Sequence, residues 1–226
     1  MGVLIHIAID GPAGSGKSTI AKKVAEKFNI NYLDSGALYR IIGYYIFNEN
    51  INLEDANGIV NSLGDIDIIL SEGKYRLNGK LIDDQIRTYN SGKLASRVAK
   101  IPEVRKKVNY ILKSISSKES TVIDGRDIGT VVLPKAEVKI YLTASAKERA
   151  NRRYKELIEK GEKVNFEDVY TEIKKRDEAD TNRTIAPLKP AEDAKIIDTT
   201  GKKIEEVLSE IYTIVESELK NGNKNS

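Results

Sequence analysis

Residues 10–19 read Asp10-Gly11-Pro12-Ala13-Gly14-Ser15-Gly16-Lys17-Ser18-Thr19, and from Gly11 to Ser18 they spell the pattern G-x-x-x-x-G-K-[ST]. A glycine-rich loop of this kind can turn its backbone N–H groups toward one bound polyphosphate, because glycine tolerates the dihedrals and the close approach required. Lys17 adds a point charge for the terminal phosphates, and Ser18 offers its hydroxyl to Mg²⁺. A helix starting there points its positive dipole end at the same anion. The flanks supply the context the pattern needs: Val3-Leu4-Ile5-His6-Ile7-Ala8-Ile9 is the apolar run of a buried parallel strand. Ile20, Ala21, Val24, Ala25 and Phe28 then recur on one helical face.

The rest of the composition limits what such a loop can serve. With 226 residues, the chain holds one α/β domain with an elaboration, or two small domains. Hydrophobic residues make up 40% and charged residues 31%. No apolar run approaches the roughly 20 residues that cross a bilayer, and the N-terminal stretch lacks the basic leader of a signal peptide, so a cytoplasmic protein is expected. The chain has no cysteine, which excludes disulfides, thiolate metal sites and cysteine nucleophiles. Its one histidine, His6, lies inside the first strand pattern and reads as a packed residue. A net charge of +3 is too small to argue for nucleic acid by itself.

Along the chain, Asn31–Asp34 reads as a second strand, and Ser35 fits the N-cap of a helix whose face carries Leu38, Ile41, Ile42, Tyr45 and Ile46. From Ile51 to about Ser120 the rhythm changes. A short helix on Leu53, Ala56, Ile59, Val60 and Leu63 precedes alternating Ile66, Ile68 and Leu70, and Asn78-Gly79 marks a two-residue hairpin between Lys74–Leu77 and Lys80–Ile82. Two more helices are expected, around 94–99 and, after Pro102, from Val104 to about Ile115. The strand-helix alternation resumes with Thr121–Asp124 and Val138–Leu142. Ligands of open parallel sheets collect at the carboxyl ends of the strands, which predicts that Asp10, Asp34, Asp124 and the segment through Asp127 face one crevice. Asp and Gly are equally ordinary turn residues. Two arginine-rich helices, 146–160 and from an Asn165 cap onward, suit a mobile cover over phosphates, although a solvated face is the commoner meaning of such charge. A fifth strand over 194–198 and a last helix over 204–219 complete the pattern, with a frayed tail from Asn221.

Four ordered segments together resemble the bacterial cytidylate kinases: Asp10 to Thr19; Tyr32-Leu33-Asp34-Ser35-Gly36-Ala37-Leu38-Tyr39-Arg40; Asp124-Gly125-Arg126-Asp127-Ile128-Gly129-Thr130-Val131-Val132; and Arg176-Asp177-x-x-Asp180-x-Asn182-Arg183. The likeness covers essentially the whole chain. It implies a five-stranded parallel α/β sheet of the P-loop type flanked by helices, built from residues 1–50 and 116–226, with a helical lid at about 149–183. An antiparallel insert, 51–115, would bind the nucleoside monophosphate. The implied reaction moves the γ-phosphoryl of ATP to CMP or dCMP with Mg²⁺. ATP would be held by Gly11, Pro12, Ala13, Gly14, Ser15, Gly16, Lys17, Ser18 and Thr19. The resemblance gives Ser35, Tyr39, Arg40 and Arg126 to the acceptor phosphate, and Ser96, Arg105 and Asp127 to the cytosine ring. Asp180 falls to the sugar hydroxyls and Arg183 to the acceptor nucleotide. A looser likeness to nucleoside monophosphate kinases puts Arg149 near the adenine and Arg153 and Arg176 near the transferred phosphoryl. Lys17, Arg126, Arg153 and Arg176 then form the catalytic set.

The chemistry of these residue types agrees with that division. Phosphoryl transfer through a loose transition state asks for positioning and positive charge rather than a nucleophile. Asp127 can accept from the exocyclic amine of cytosine while Arg105 and Ser96 donate to its acceptors, and uracil reverses that donor. Asp124, at a strand end, can order a water of the Mg²⁺ shell together with Ser18. A monomer acting on small molecules, without nucleic acid or membrane, is expected. Other acceptors such as UMP or AMP stay open at this point. A GTP switch is a poorer match: Asp198-Thr199-Thr200-Gly201 fits D-x-x-G but lies far from the glycine loop, and Asn223-Lys224-Asn225-Ser226 breaks N-K-x-D at its last residue.

Overall fold

The computed structural model describes residues 4–71 and 73–222. The chain divides into two compact units, one of residues 1–33 and 113–226 and one of residues 34–112. The expected division at about 50 and 115 differs from this because the helix over Ser35–Asn48 packs on the helix over Tyr89–Val98, and so belongs with the insert.

The first unit is built on a five-stranded sheet in the order β2-β6-β1-β7-β8. These strands are β1 (His6–Asp10), β2 (Asn31–Asp34), β6 (Thr121–Gly125), β7 (Val138–Thr143) and β8 (Lys195–Asp198). β1 runs parallel to both β6 and β7, with Asp10 level with Gly125 on one side and Tyr141 on the other. A strand paired on both edges and covered on both faces has to be apolar throughout, which is why residues 7–9 and 122–123 carry only Ile, Val and Ala and are fully buried. α1 (Lys17–Phe28) and α8 (Ile204–Gly222) pack together beside the sheet, Ile20 and Val24 meeting Val207, Ile211 and Val215 in one apolar cluster. Phe28 and Tyr212 close that cluster edge to face, with ring centroids 5.9 Å apart. α6 (Ala146–Glu159) and α7 (Phe166–Asn182) form a helical hairpin after β7. α7 is capped by the Asn165 side chain accepting from the Asp168 N–H, as the sequence suggests. His6 sits on β1 with Nδ1 3.1 Å from the Thr121 hydroxyl, a packed residue.

The second unit contains α2 (Ser35–Asn48), α3 (Ala56–Ser62), α4 (Tyr89–Val98), most of α5 (Pro102–Ser116) and an antiparallel sheet in the order β3-β4-β5. Its strands are β3 (Ile68–Ser71), β4 (Lys74–Leu77) and β5 (Lys80–Leu81). Asn78 and Gly79 connect the last two with φ of 48° and 80°, the left-handed pair that a two-residue hairpin demands.

Several boundaries differ from the sequence expectation, each for a local reason. α2 is capped by Asp34, whose Oδ1 accepts from the Ala37 N–H at 2.9 Å; Ser35 is the first helical residue and not the cap. α3 starts three residues later than its apolar pattern, where Asp55 caps it through the Gly58 N–H. α4 begins five residues earlier than expected, at a Thr88 cap that accepts from the Ser91 N–H. Residues 128–132 form a π-helical turn that periodicity did not reveal, with the N–H groups of Val131 and Val132 both directed at the Asp127 carbonyl.

Candidate active site

The glycine loop leaves β1 through Gly11, whose φ of 149° places the missing Cβ only 2.0 Å from the Leu142 carbonyl oxygen, so no side chain fits there. Inside the loop Ser15 Oγ donates to the Pro12 carbonyl at 3.0 Å, and Lys17 Nζ donates to the same carbonyl at 2.7 Å. Lys17 is nearly inaccessible to solvent. Burial lowers its pKa well below the ordinary lysine value; Arg126 and Arg176 push in the same direction, and Asp124 and Asp10 oppose them. The loop, the segment after β6 and α7 therefore direct Lys17, Arg126 and Arg176 into one cationic region.

Two carboxylates back this region at the ends of neighbouring strands. Asp124 Oδ2 accepts from the Ser18 hydroxyl at 2.9 Å, and its Oδ1 accepts from the Tyr32 hydroxyl at 2.8 Å. Asp10, the last residue of β1, is buried and accepts from the N–H groups of Ile128 and Gly129. Burial raises its carboxyl to about 6, partly offset by those two N–H bonds.

A charged chain then links the loop after β6 to α7. Arg126 Nε donates to Asp180 Oδ2 at 2.9 Å, Arg183 lies 3.9 Å from the other oxygen of Asp180, and Arg183 reaches Asp127 Oδ1 at 3.4 Å. Burial alone would raise the Asp180 carboxyl, but Arg126, Arg176 and Arg183 hold it below the usual carboxylate range. Asp127 is buried beside Arg183. Arg126, Asp127, Arg176, Asp180 and Arg183 are thus brought together with Lys17 in the first unit.

The two remaining arginines expected in the lid behave differently. Arg149 is consumed by internal bonds: Nε donates to the Ala144 carbonyl, Nη1 to the Ala13 carbonyl of the glycine loop, and the fork grips both oxygens of Asp177 at 2.9 and 2.6 Å. Arg153 pairs along its own helix with Glu156 at 2.8 Å. The D-x-x-G segment after β8 is structural in this setting, since the Thr199 hydroxyl lies 2.9 Å from Arg152 Nη1 and 3.1 Å from the Thr143 carbonyl. Residues 223–226 of the comparison with N-K-x-D lie outside the described residues.

In the second unit, Arg40 Nη2 donates to Asp34 Oδ2 at 2.6 Å beside the buried Ser35. The Arg105 guanidinium, also buried, lies over the Tyr39 ring at 5.7 Å from its centroid. Ser96 is half-buried on α4.

A family model described as cytidylate kinase matches residues 7–217. The chain belongs to the cytidylate kinase family. A cytidylate kinase of Carboxydothermus hydrogenoformans is 49% identical over 215 residues, 93% of this chain and 97% of that one. A second, from Thermosipho melanesiensis, is 51% identical over 95% of this chain and 98% of its own length. Among solved structures, a gluconokinase of Sinorhizobium meliloti shares the fold at a TM-score of 0.54 and 13% identity, across 98% of this chain and 97% of that chain. Membership makes the chain a nucleoside monophosphate kinase with a P-loop fold. Among the described residues no helix is long and apolar enough to cross a membrane.

Sequence reasoning assigned no role to three side chains that the geometry of this family member singles out. Asp10 was expected at the strand-end crevice, but not as an acceptor for N–H groups 118 and 119 positions away. Tyr32 sits inside the second motif, with nothing local to announce its bond to Asp124. Asp177 follows Arg176 directly, and that adjacency was the available signal for a carboxylate facing the lid arginines.

Proposed function

We propose that the protein is a cytoplasmic, monomeric kinase that transfers the γ-phosphoryl of ATP to CMP or dCMP with Mg²⁺ and without a covalent intermediate. The observation that carries this reading is the convergence of Lys17, Arg126 and Arg176 beside the glycine loop, with Asp127, Asp180 and Arg183 bonded to one another next to them. Triphosphate oxygens would lie along the loop amides, with Lys17 exchanging its bond to the Pro12 carbonyl for the terminal phosphates. Arg126 and Arg176 would face the equatorial oxygens as charge spreads over them, which is the main catalytic demand of a loose transition state. Arg149, braced on the Ala13 carbonyl, would keep the loop in shape as well as border the adenine side, and Arg153 would exchange its Glu156 partner for the transferred phosphoryl.

Acceptor recognition would use a further set of residues. Asp127 would accept from the cytosine amine, with Arg105 and Ser96 donating to the ring acceptors. Ser35, Tyr39, Arg40 and Arg126 would hold the acceptor phosphate, Asp180 the sugar hydroxyls, and Arg183 would brace Asp127 and Asp180 at the acceptor nucleotide. A buried carboxylate left facing the uracil carbonyl would be unmatched, which supports preference for the cytosine base.

Ser18 and Asp124 fit a magnesium ion: a hydroxyl and a carboxylate oxygen 2.9 Å apart are hard donors at the mouth of the loop. No group of three or more His, Asp or Glu side chains able to hold a metal occurs among the described residues. Ser18, directly, and Asp124, through water, would hold the ion, whose charge would offset that of the phosphates when bound.

Steady-state phosphorylation of CMP, dCMP, UMP and AMP by ATP and Mg²⁺ tests the reading. Values of kcat/KM for CMP and dCMP at least about tenfold above those for UMP and AMP are expected. Comparable values for CMP and AMP would remove the cytosine assignment.

A further inference from the structure

The residues proposed to read the acceptor, Arg126 and Asp127, stand just past the end of β6 at Gly125. Directly after them the chain makes the π-helical turn 128–132, whose leading N–H groups have no partner within the turn. Asp10 fills that place from the other side of the strand gap: Oδ1 accepts from Ile128 N–H at 2.9 Å and Oδ2 from Gly129 N–H at 2.8 Å. The carboxylate is itself fixed, because Asp10 ends the central strand and is registered against Gly125 and Tyr141 at once. Its next residue is Gly11, where the glycine loop begins. The opposite side of the turn is supported too. The methylenes of Lys139 pack under Gly129, and its ammonium is held by the Pro134 carbonyl and by Asp193.

Resting on the acceptor reading given above, we propose that Asp10 is a positioning residue for base selection: its two carboxylate oxygens lock the Arg126–Asp127 segment in register with the glycine loop. Both oxygens are needed, since two N–H donors face them and the ionised carboxylate offers a strong acceptor to each, whereas protonation weakens one of the two. The titratable groups that face Asp10 are Lys17 from α1, Asp127 from the segment itself and, from β7, the neutral Tyr141. Asp10 contacts neither nucleotide in this scheme, so its loss should be felt where Asp127 acts and not where the loop amides act.

Asp10→Asn separates these effects, because the amide keeps one acceptor and turns an NH₂ group toward the second N–H. With wild type measured in parallel, the folded variant is expected to show a CMP KM raised about tenfold, an ATP KM within about threefold of wild type, and a CMP-to-UMP ratio of kcat/KM lowered about tenfold. An unchanged ratio in a variant that melts cooperatively, or ATP and CMP KM rising together by the same factor, would overturn the proposal while leaving the acceptor reading intact. A wild-type enzyme without preference for CMP would overturn both. Should the variant not fold, the wild-type CMP-to-UMP ratio between pH 8 and 5.5 decides: both acceptors carry the same phosphate, so its ionisation cancels. The ratio is expected to fall severalfold on the acid side of about 6, where Asp10 takes up its proton; a flat ratio would sink the idea.

Discussion

At the scale of single residues, the least conventional group is Asp10, a buried carboxyl whose pKa is pushed up to about 6 by burial. The sign of its linkage to stability is opposite to that of a salt-bridged aspartate. The folded state binds this proton more tightly than the unfolded chain, so the favourable contribution is complete below the ordinary aspartate value and lost as pH rises through about 6. Two pKa units correspond to about 3 kcal/mol, so the urea-derived stability of wild type relative to Asp10→Asn is expected to fall by about 2–3 kcal/mol between pH 4.5 and 7.5. A pH-independent difference would show that the native carboxyl titrates normally. The clustering of Lys17 and Ser18 at the glycine loop was legible in the sequence because both lie within one eight-residue pattern. Asp10 was not, because its role depends on β1 lying beside β6, a neighbour relation that no local pattern encodes.

At the scale of elements, the sequence indicated the strands and most of the helices, and erred where a cap rather than an apolar stripe sets the end. Thr88 and Asp55 each satisfy a helix N–H that hydrophobic spacing does not register. The π-helical turn after Asp127 had no periodic signature at all, since five residues are too few to show one. Within the helical hairpin, Arg149 and Asp177 form a partly buried ion pair that ties α6 and α7 to the glycine loop through the Ala13 carbonyl. Asp177→Asn would leave that guanidinium without its counter-charge. We expect a loss of about 1–2 kcal/mol in denaturant unfolding and a raised ATP KM with CMP KM little changed. A variant as stable as wild type would mean the pair is replaced by water at no cost.

At the scale of the whole molecule, 37 Lys and Arg against 34 Asp and Glu leave little net field, so affinity for phosphate has to come from local concentration of charge, as around Lys17. Binding should therefore be conditional on the complete ligand. Mg²⁺ alone is expected to leave Tm unchanged, whereas ATP with Mg²⁺ at about a hundred times its Kd should raise it by about 5–10 °C in differential scanning calorimetry. A comparable rise with the metal alone would point to a cation site made by protein groups only. The clasp of Arg149 on Ala144, Ala13 and Asp177 also governs how the paired helices can travel. Their inner ends are moored at the glycine loop, so any swing would grow with distance from that mooring and be widest at the Gly161 corner: a lever with its fulcrum at Ala13.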